Sequence, residues 1–208
     1  MYTNVKNLLF DFGGVIVSLN KQNALKRFKE IGFADIEEYL GEYRQEGIFL
    51  EYEEGKLTPD EFYTEFRRLA GKDDISDDDI YSAWMAFLIG IPEYKYQLIK
   101  DLRKKYKVYL LSNTNPSVMK WARSKEFSAE GATIDEYFDK CYISYELGCA
   151  KPDKEIFEAV INDSGINPAE TLFFDDGKAN IEAAEELGFQ VYLTNQDEDL
   201  TKVFELVK

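Results

Sequence analysis

The chain contains no histidine. That one absence removes Ser-His-Asp triads, imidazole general bases and imidazole metal sites together. Cysteine is nearly absent too. Cys141 and Cys149 are too few for a disulfide framework and lack metal-site spacing, so they read as reduced thiols of a cytoplasmic protein. No apolar run is long enough to span a bilayer, and the N-terminus shows no basic segment followed by a signal core. Positive charge is scarce: 25 Lys and Arg stand against 40 Asp and Glu, for a net charge of −15. Such a field repels phosphate backbones and anionic lipid, which argues against nucleic-acid and membrane partners. Whatever chemistry remains must use carboxylates, lysine, hydroxyls, backbone amides or a hard metal ion.

What the chain does have is a core. Its 208 residues are 45% hydrophobic and 15% aromatic, enough for one ordinary domain with a modest insertion. Strand-length apolar runs occur at Leu8–Phe10, Val108–Leu111, Thr171–Phe174 and Val191–Leu193, with Tyr142–Ser144 a weaker fifth. Helical patterns lie between them. One comes after Lys151-Pro152 and covers Asp153–Ser164, ending before Gly165. Another covers Lys178–Leu187 and ends at Gly188. Alternating strands and helices predict an α/β fold with a mostly parallel sheet covered on both faces.

One stretch breaks the alternation. From about Asn20 to about Pro92 the pattern is helical, with no convincing strand. Thr58-Pro59-Asp60-Glu61 is a capping box with proline at the first helical position, and Ser76–Asp79 resembles one with Asp in place of Glu. Phe62, Phe66 and Leu69, then Trp84, Phe87 and Leu88, recur at helical spacing. A helical insertion is therefore expected at 18–92, between a core made of 1–17 and 93–208.

Functional groups of open parallel sheets gather beyond the carboxyl ends of the strands. Four polar motifs fall there. Asp11-Phe12-Gly13-Gly14 offers a carboxylate able to act as nucleophile or metal ligand, or simply a capped turn. Ser112-Asn113-Thr114-Asn115 offers a hydroxyl and amides for anionic oxygens, or an ordinary turn. Lys151, ahead of Pro152, places a cation at a helix entrance, where it opposes the helix dipole; a nearby anion or plain solvation would account for it. Asp175-Asp176-Gly177, with Asn180 close behind, sets two carboxylates side by side after a buried run. They repel unless a cation is near, and an oxygen-only donor set suits Mg²⁺.

The order of these motifs, with a helical insertion after the first, closely resembles that of the haloacid dehalogenase-like hydrolases. "LSNTN", "KPDKEIFEAVI", "FFDDGKANIEAAEELGF" and the insertion stretch "GIFLEYEEGKLTPDEF" are most similar to bacterial glucose-1-phosphate phosphatases and to the N-terminal phosphatase domain of soluble epoxide hydrolases. The resemblance implies a Rossmann-like three-layer α/β/α core with a helical cap. It also implies an Mg²⁺-dependent phosphatase acting on a small-molecule phosphate ester, with a sugar phosphate expected, as a monomer or weak dimer. By the same resemblance Asp11 takes the phosphoryl group and touches the metal. The Gly13 carbonyl and Asp176 are further metal ligands, with Asp175 and Asn180 behind them or acting through water. Ser112, the Asn113 amide and Lys151 hold the phosphoryl oxygens.

One position departs from the family pattern. Most of these phosphatases carry an aspartate two residues after the nucleophile, which protonates the leaving oxygen and then activates water. Here that residue is Gly13. Three readings are open: a phosphatase whose leaving group needs little help, with a cap residue or water moving the proton; a metal-independent haloacid dehalogenase; or a protein that binds a phospho-ligand without turnover. A receiver domain fits neither the insertion nor the motif order. Hinges are expected near Val17–Asn20 and Ile91–Glu93. Phe49, Tyr52 and Trp84 are candidates for the pocket lining or for the insertion's own core. Arg44 is a candidate second phosphate or sugar contact, or a surface ion pair.

Overall fold

A computed structural model describes residues 2–41, 45–196 and 198–204. Five strands form a wholly parallel sheet. β1 spans Asn7–Phe10. After it come two short strands of the insertion's stem, β2 (Ser18–Leu19) and β3 (Leu88–Gly90). The sheet continues with β4 (Lys107–Ser112), β5 (Lys140–Ile143), β6 (Thr171–Asp175) and β7 (Gln190–Leu193). The spatial order is β5-β4-β1-β6-β7. β1 is thus central, with Phe10 in register with Leu110 on one side and with Phe174 on the other. The chain grows outward through β4 and β5, then returns to β1's other side. That reversal is a topological switch point, where such sheets open a crevice.

Side-chain alternation explains why both faces are covered. Leu8, Phe10, Val108, Leu110, Leu172 and Phe174 point to one face and pack with Ile99, Val118 and Met119. Leu9, Leu111 and Phe173 point to the other and pack with Ile156, Phe157 and Ile181. Period-two alternation with apolar residues on both sides is the signature of a strand buried in the middle layer of three. The expected Rossmann-like α/β/α core is therefore present. The helix Lys154–Ser164 stops at Gly165 and the helix Lys178–Glu186 stops just before Gly188, as the sequence indicates.

The insertion builds a hydrophobic cluster of its own from residues between Ala24 and Trp84. Phe28, Phe49, Phe62 and Phe66 are fully enclosed there. The helix Pro59–Ala70 carries the expected capping box, with the Thr58 side chain and Glu61 satisfying each other's backbone amides. Ser76 caps the helix Asp77–Met85 by accepting from the Asp79 amide.

Two expectations need correction. The insertion is not free of strand: β3 pairs antiparallel with β2, and the Asn20 amide donates to the Phe87 carbonyl at 2.7 Å. Three residues ending in glycine are too few to show a period, so this ribbon is invisible without its partner. The fifth sheet strand is Lys140–Ile143, and Ser144 opens a one-turn helix instead of closing the strand. Of the two placements open to Phe49 and Tyr52, both take the insertion's core. Arg44 lies outside the described residues.

Candidate active site

Because β1, β4 and β6 are adjacent and parallel, their carboxyl ends converge. Asp11 comes directly after β1, Ser112 ends β4 and Asp175 ends β6. The Asp11 amide donates to the Phe174 carbonyl at 2.8 Å, which fixes the start of the adjoining loop. Lys95, buried at 2% exposure, donates from Nζ to the Val15 carbonyl at 2.5 Å and fixes the same loop further on. Gly14 has φ +74°, and a Cβ there would lie 2.1 Å from Asp176 Oδ2. The loop after β1 and the loop after β6 touch at a point where only glycine fits.

Lys151 is the hub of the cluster. It is 1% exposed, and its Nζ donates to Asp11 Oδ1 at 2.7 Å, to Asp175 Oδ2 at 2.6 Å and to the Leu111 carbonyl at 3.0 Å. All three ammonium protons therefore have acceptors. Burial pulls its pKa down, but the Asp11 and Asp175 carboxylates outweigh burial and hold it above the ordinary lysine value. The cation at the helix entrance thus has its anion, in duplicate.

Asn113 locks this arrangement. Its Oδ1 accepts from the Lys151 amide and its Nδ2 donates to the Lys151 carbonyl, both at 2.8 Å. The sequence suggested its backbone amide as a phosphate contact and missed this side-chain role. Another missed contact joins Ser144 to Thr114. The Thr114 amide donates to Ser144 Oγ, which in turn donates to the Thr114 carbonyl, both at 3.0 Å. Neither pairing leaves a periodic signal, since the partners are about 30 to 40 residues apart.

Asp11, Asp175 and Asp176 each offer a carboxylate oxygen, and these oxygens lie within 4.8 Å of one another. Asp175 is fully buried, with Oδ2 taken by Lys151 and Oδ1 accepting from the Gly177 amide at 2.7 Å and Asn180 Nδ2 at 2.9 Å. Burial first, opposed by Lys151 and reinforced by the charges of Asp175 and Asp176, pushes the Asp11 carboxyl up to about 8. Three carboxylates around one lysine leave an excess of negative charge. A hard divalent cation bound by oxygen donors would remove it. The donor set therefore fits Mg²⁺.

A cavity of about 460 Å³ opens above the cluster, a size suited to a small metabolite. Asp11, Gly13, Ser112, Asn113, Lys151, Asp176 and Asn180 all border it. Asp175 lies behind them, buried. The opposite wall comes from the insertion, including Gln45, Glu53, Trp84 and Phe87. Trp84 thus serves both the insertion's core and the cavity. Among the described residues, three buried polar atoms have no hydrogen-bond partner: Gln45 Oε1, Trp84 Nε1 and Thr194 Oγ1. All three residues border this cavity. The insertion meets the core through Tyr52, whose hydroxyl lies 3.0 Å from Ser117 Oγ, and Tyr63, at 3.3 Å from the same atom.

Residues 5–188 match the haloacid dehalogenase-like hydrolase family. The chain is 48% identical over 188 residues to D-ribitol-5-phosphate phosphatase of Bacteroides thetaiotaomicron, covering 90% of this chain and 91% of that one. A HAD-like family hydrolase from Porphyromonas gingivalis has the same fold with a TM-score of 0.93 at 42% identity, covering 97% of each chain. A HAD family enzyme of Bacteroides thetaiotaomicron, solved in complex with magnesium and inorganic phosphate, matches with a TM-score of 0.89 at 45% identity, over 96% of this chain and 99% of that one.

Proposed function

This chain belongs to the haloacid dehalogenase-like hydrolases, and on that footing we propose that it is an Mg²⁺-dependent phosphatase of a small sugar or alditol phosphate, working through a phosphoryl group carried on Asp11. The observation that carries this reading is the Asp11–Lys151–Asp175 cluster beneath a metabolite-sized cavity. Phosphoryl transfer asks mainly for charge neutralisation and in-line positioning, and the cluster is organised for both.

The metal would be held by Asp11, the Gly13 carbonyl and Asp176. When bound, it supplies positive charge that offsets the approach of a carboxylate to a phosphate dianion. Lys151 does the same from the other side and keeps Asp11 aimed through its hydrogen bond. Asp175 and Asn180 act from behind. Asp175 holds the ammonium, and Asn180 orients Asp175. Ser112, the Asn113 amide and Lys151 receive the phosphoryl oxygens. Asp11 attacks phosphorus, the alcohol leaves, and water then releases inorganic phosphate from Asp11.

The alditol phosphate accepted by the ribitol relative favours a polyhydroxylated leaving group. The three buried polar atoms without partners favour it too, since such groups are costly unless satisfied. A metal-independent dehalogenase would leave the acidic cluster unexplained. A non-catalytic binder would not need a carboxylate hydrogen-bonded to a buried lysine under the ligand. The test is phosphate release from sugar, alditol and nucleotide phosphates with and without Mg²⁺, in the wild type and in Asp11→Asn. We expect turnover of one or more sugar or alditol phosphates, lost on chelation and lost in the variant with its fold intact. Retained turnover in Asp11→Asn would remove that residue from the mechanism.

A further inference from the structure

A leaving group rich in hydroxyls needs hydrogen-bond partners of its own. The strand-end cluster has few left. Lys151 commits its ammonium to Asp11, Asp175 and the Leu111 carbonyl, and both polar atoms of the Asn113 side chain are taken by the Lys151 backbone. Three other residues on the cavity border do have capacity. Among the described residues, Gln45 Oε1, Trp84 Nε1 and Thr194 Oγ1 are the buried side-chain polar atoms with no hydrogen-bond partner. Such atoms are few in native proteins, and each asks for a reason. Packing faults scattered through the molecule would not all fall on one cavity.

Thr194 belongs to the core wall. It comes directly after β7 and is 4% exposed. Its amide donates to the Asp175 carbonyl at 2.9 Å, which ties its backbone to the carboxylate–lysine cluster. The loop beyond is fixed as well: the Asn195 amide donates to Glu198 Oε2 at 3.0 Å, and Gln196 Nε2 donates to the Leu19 carbonyl at 2.6 Å. Trp84 belongs to the insertion wall, on the helix Asp77–Met85, and is 3% exposed. On the same helix the Tyr81 ring carries Lys120 Nζ at 5.0 Å from its centroid. That contact fastens the helix to the core helix Pro116–Ala122, whose Val118 also borders the cavity. Resting on the phosphatase reading above, we propose that Thr194 and Trp84 set specificity by binding hydroxyls of the leaving group, one from each wall, so that a polyhydroxylated chain is selected over a plain one. The chemistry of the three atoms points to alcohols. An indole N–H only donates, an amide oxygen only accepts, and a threonine hydroxyl does either. Their complement must therefore both accept and donate. An alcohol does both, a halide or a second phosphate dianion only accepts, and an alkyl chain does neither. The atoms are closed to bulk water, so engagement takes a χ1 rotation at Thr194 and a shift of the indole as the insertion settles. Neither side chain gives up a water on binding, so the protein loses nothing against each hydrogen bond it gains.

The experiment measures kcat and KM for D-ribitol 5-phosphate and pentyl phosphate, in Mg²⁺, in the wild type, Thr194→Val and Trp84→Phe. The two esters share chain length and a primary leaving oxygen and differ in hydroxyls. In kcat/KM the wild type should favour the alditol phosphate by about 100-fold or more. Each variant should narrow that ratio about tenfold, the worth of one hydrogen bond, through loss on the alditol phosphate. A melting curve without substrate adds an independent readout. Thr194→Val deletes an atom that makes no hydrogen bond, so its Tm should hold or rise. Trp84→Phe also leaves a gap in the aromatic core, so its substrate ratio alone is diagnostic. Equal losses on both esters in either variant, an unchanged ratio in Thr194→Val, or a Thr194→Val that melts several degrees lower would overturn the assignment. The two readings fail separately. A wild type that releases phosphate from these or other esters without favouring D-ribitol 5-phosphate over pentyl phosphate sinks only the role of Thr194 and Trp84. A wild type that hydrolyses no phosphate ester sinks the phosphatase reading and this inference with it.

Discussion

The two walls of the cavity are built by opposite means. The strand-end wall is a polar cluster in which nearly every group is fixed by a named hydrogen bond: Lys151 to Asp11 and Asp175, Asp175 to Gly177 and Asn180, Asn113 to the Lys151 backbone. The insertion wall is the edge of an aromatic core. Tyr52 stacks on Phe62 at 4.2 Å, and Trp84 packs edge-on against Phe28 at 5.9 Å. That core meets the rest of the molecule through a thin stem and a few contacts such as the one at Ser117. A low-dielectric polar cluster is rigid when fully satisfied and costly when broken. An aromatic core with its own closed packing can move as a unit. The first wall is suited to hold reacting atoms, and we propose that the second admits a substrate and shuts over it.

The largest effects should come from breaking the polar wall. Lys151→Met removes the cation between two carboxylates and should cost about 3 kcal/mol or more of stability in urea unfolding, since it strands buried charge. The loss should shrink at low pH. Asp11's folded pKa is raised to about 8 from an ordinary value of 3.8. The folded state therefore holds a proton that the unfolded state has released. Asp11's contribution to stability is fully present below about pH 4 and is lost as pH rises to about 8. In the wild type the same sign predicts that Mg²⁺ binding at pH 7 expels a proton. Calorimetry in buffers of different ionisation enthalpy should detect that release, and it should fade above pH 8. Mg²⁺ binding with no proton release would show that Asp11 is already ionised.

Gly14→Ala should come next. It forces a left-handed backbone onto alanine, at roughly 1–2 kcal/mol, and drives its methyl into Asp176. Mg²⁺ affinity should drop at least tenfold while the insertion's aromatic core stays folded. Retained affinity would mean that Asp176 can retreat and still serve. Gly55→Ala tests the other wall. Gly55 has φ +69°, and its added Cβ would lie 2.2 Å from the Tyr145 carbonyl, where insertion and core touch. We expect weaker closure, read as a several-fold rise in KM and a fall in kcat, with Mg²⁺ affinity unchanged. An effect on the metal would break the division between the walls. The smallest effect should be that of Tyr52→Phe, which deletes one hydroxyl contact with Ser117 and should cost about 1 kcal/mol.

The same contrast explains which parts of the molecule the amino-acid order disclosed. The polar wall was legible because a parallel sheet sends strand ends to one place. Asp11, Ser112, Lys151 and Asp175-Asp176 could be placed together from the apolar runs and the polar residues at their ends. The sheet itself was legible for the same reason, since Leu8, Leu9 and Phe10 are buried on both faces. The insertion wall was not, because helical spacing marks a buried stripe without saying which part of it meets a cavity. Phe49 and Tyr52 went inward and Trp84 served both. The supports of the polar wall were hidden as well. Lys95 on Val15 links residues 80 positions apart through one hydrogen bond, and Asn113 on Lys151 links residues 38 apart through two, which no local pattern encodes.

We propose that Asp11 carries phosphorus in the presence of magnesium. This is tested most directly by rapid quench of the enzyme with substrate in excess, followed by peptide mapping by mass spectrometry. A single acid-stable, hydroxylamine-sensitive phosphoryl group on the peptide containing Asp11, absent without Mg²⁺ and absent in Asp11→Asn, is the result this account requires. Phosphate release with no phosphorylated enzyme at any quench time, or a phosphoryl group on another residue, would contradict it.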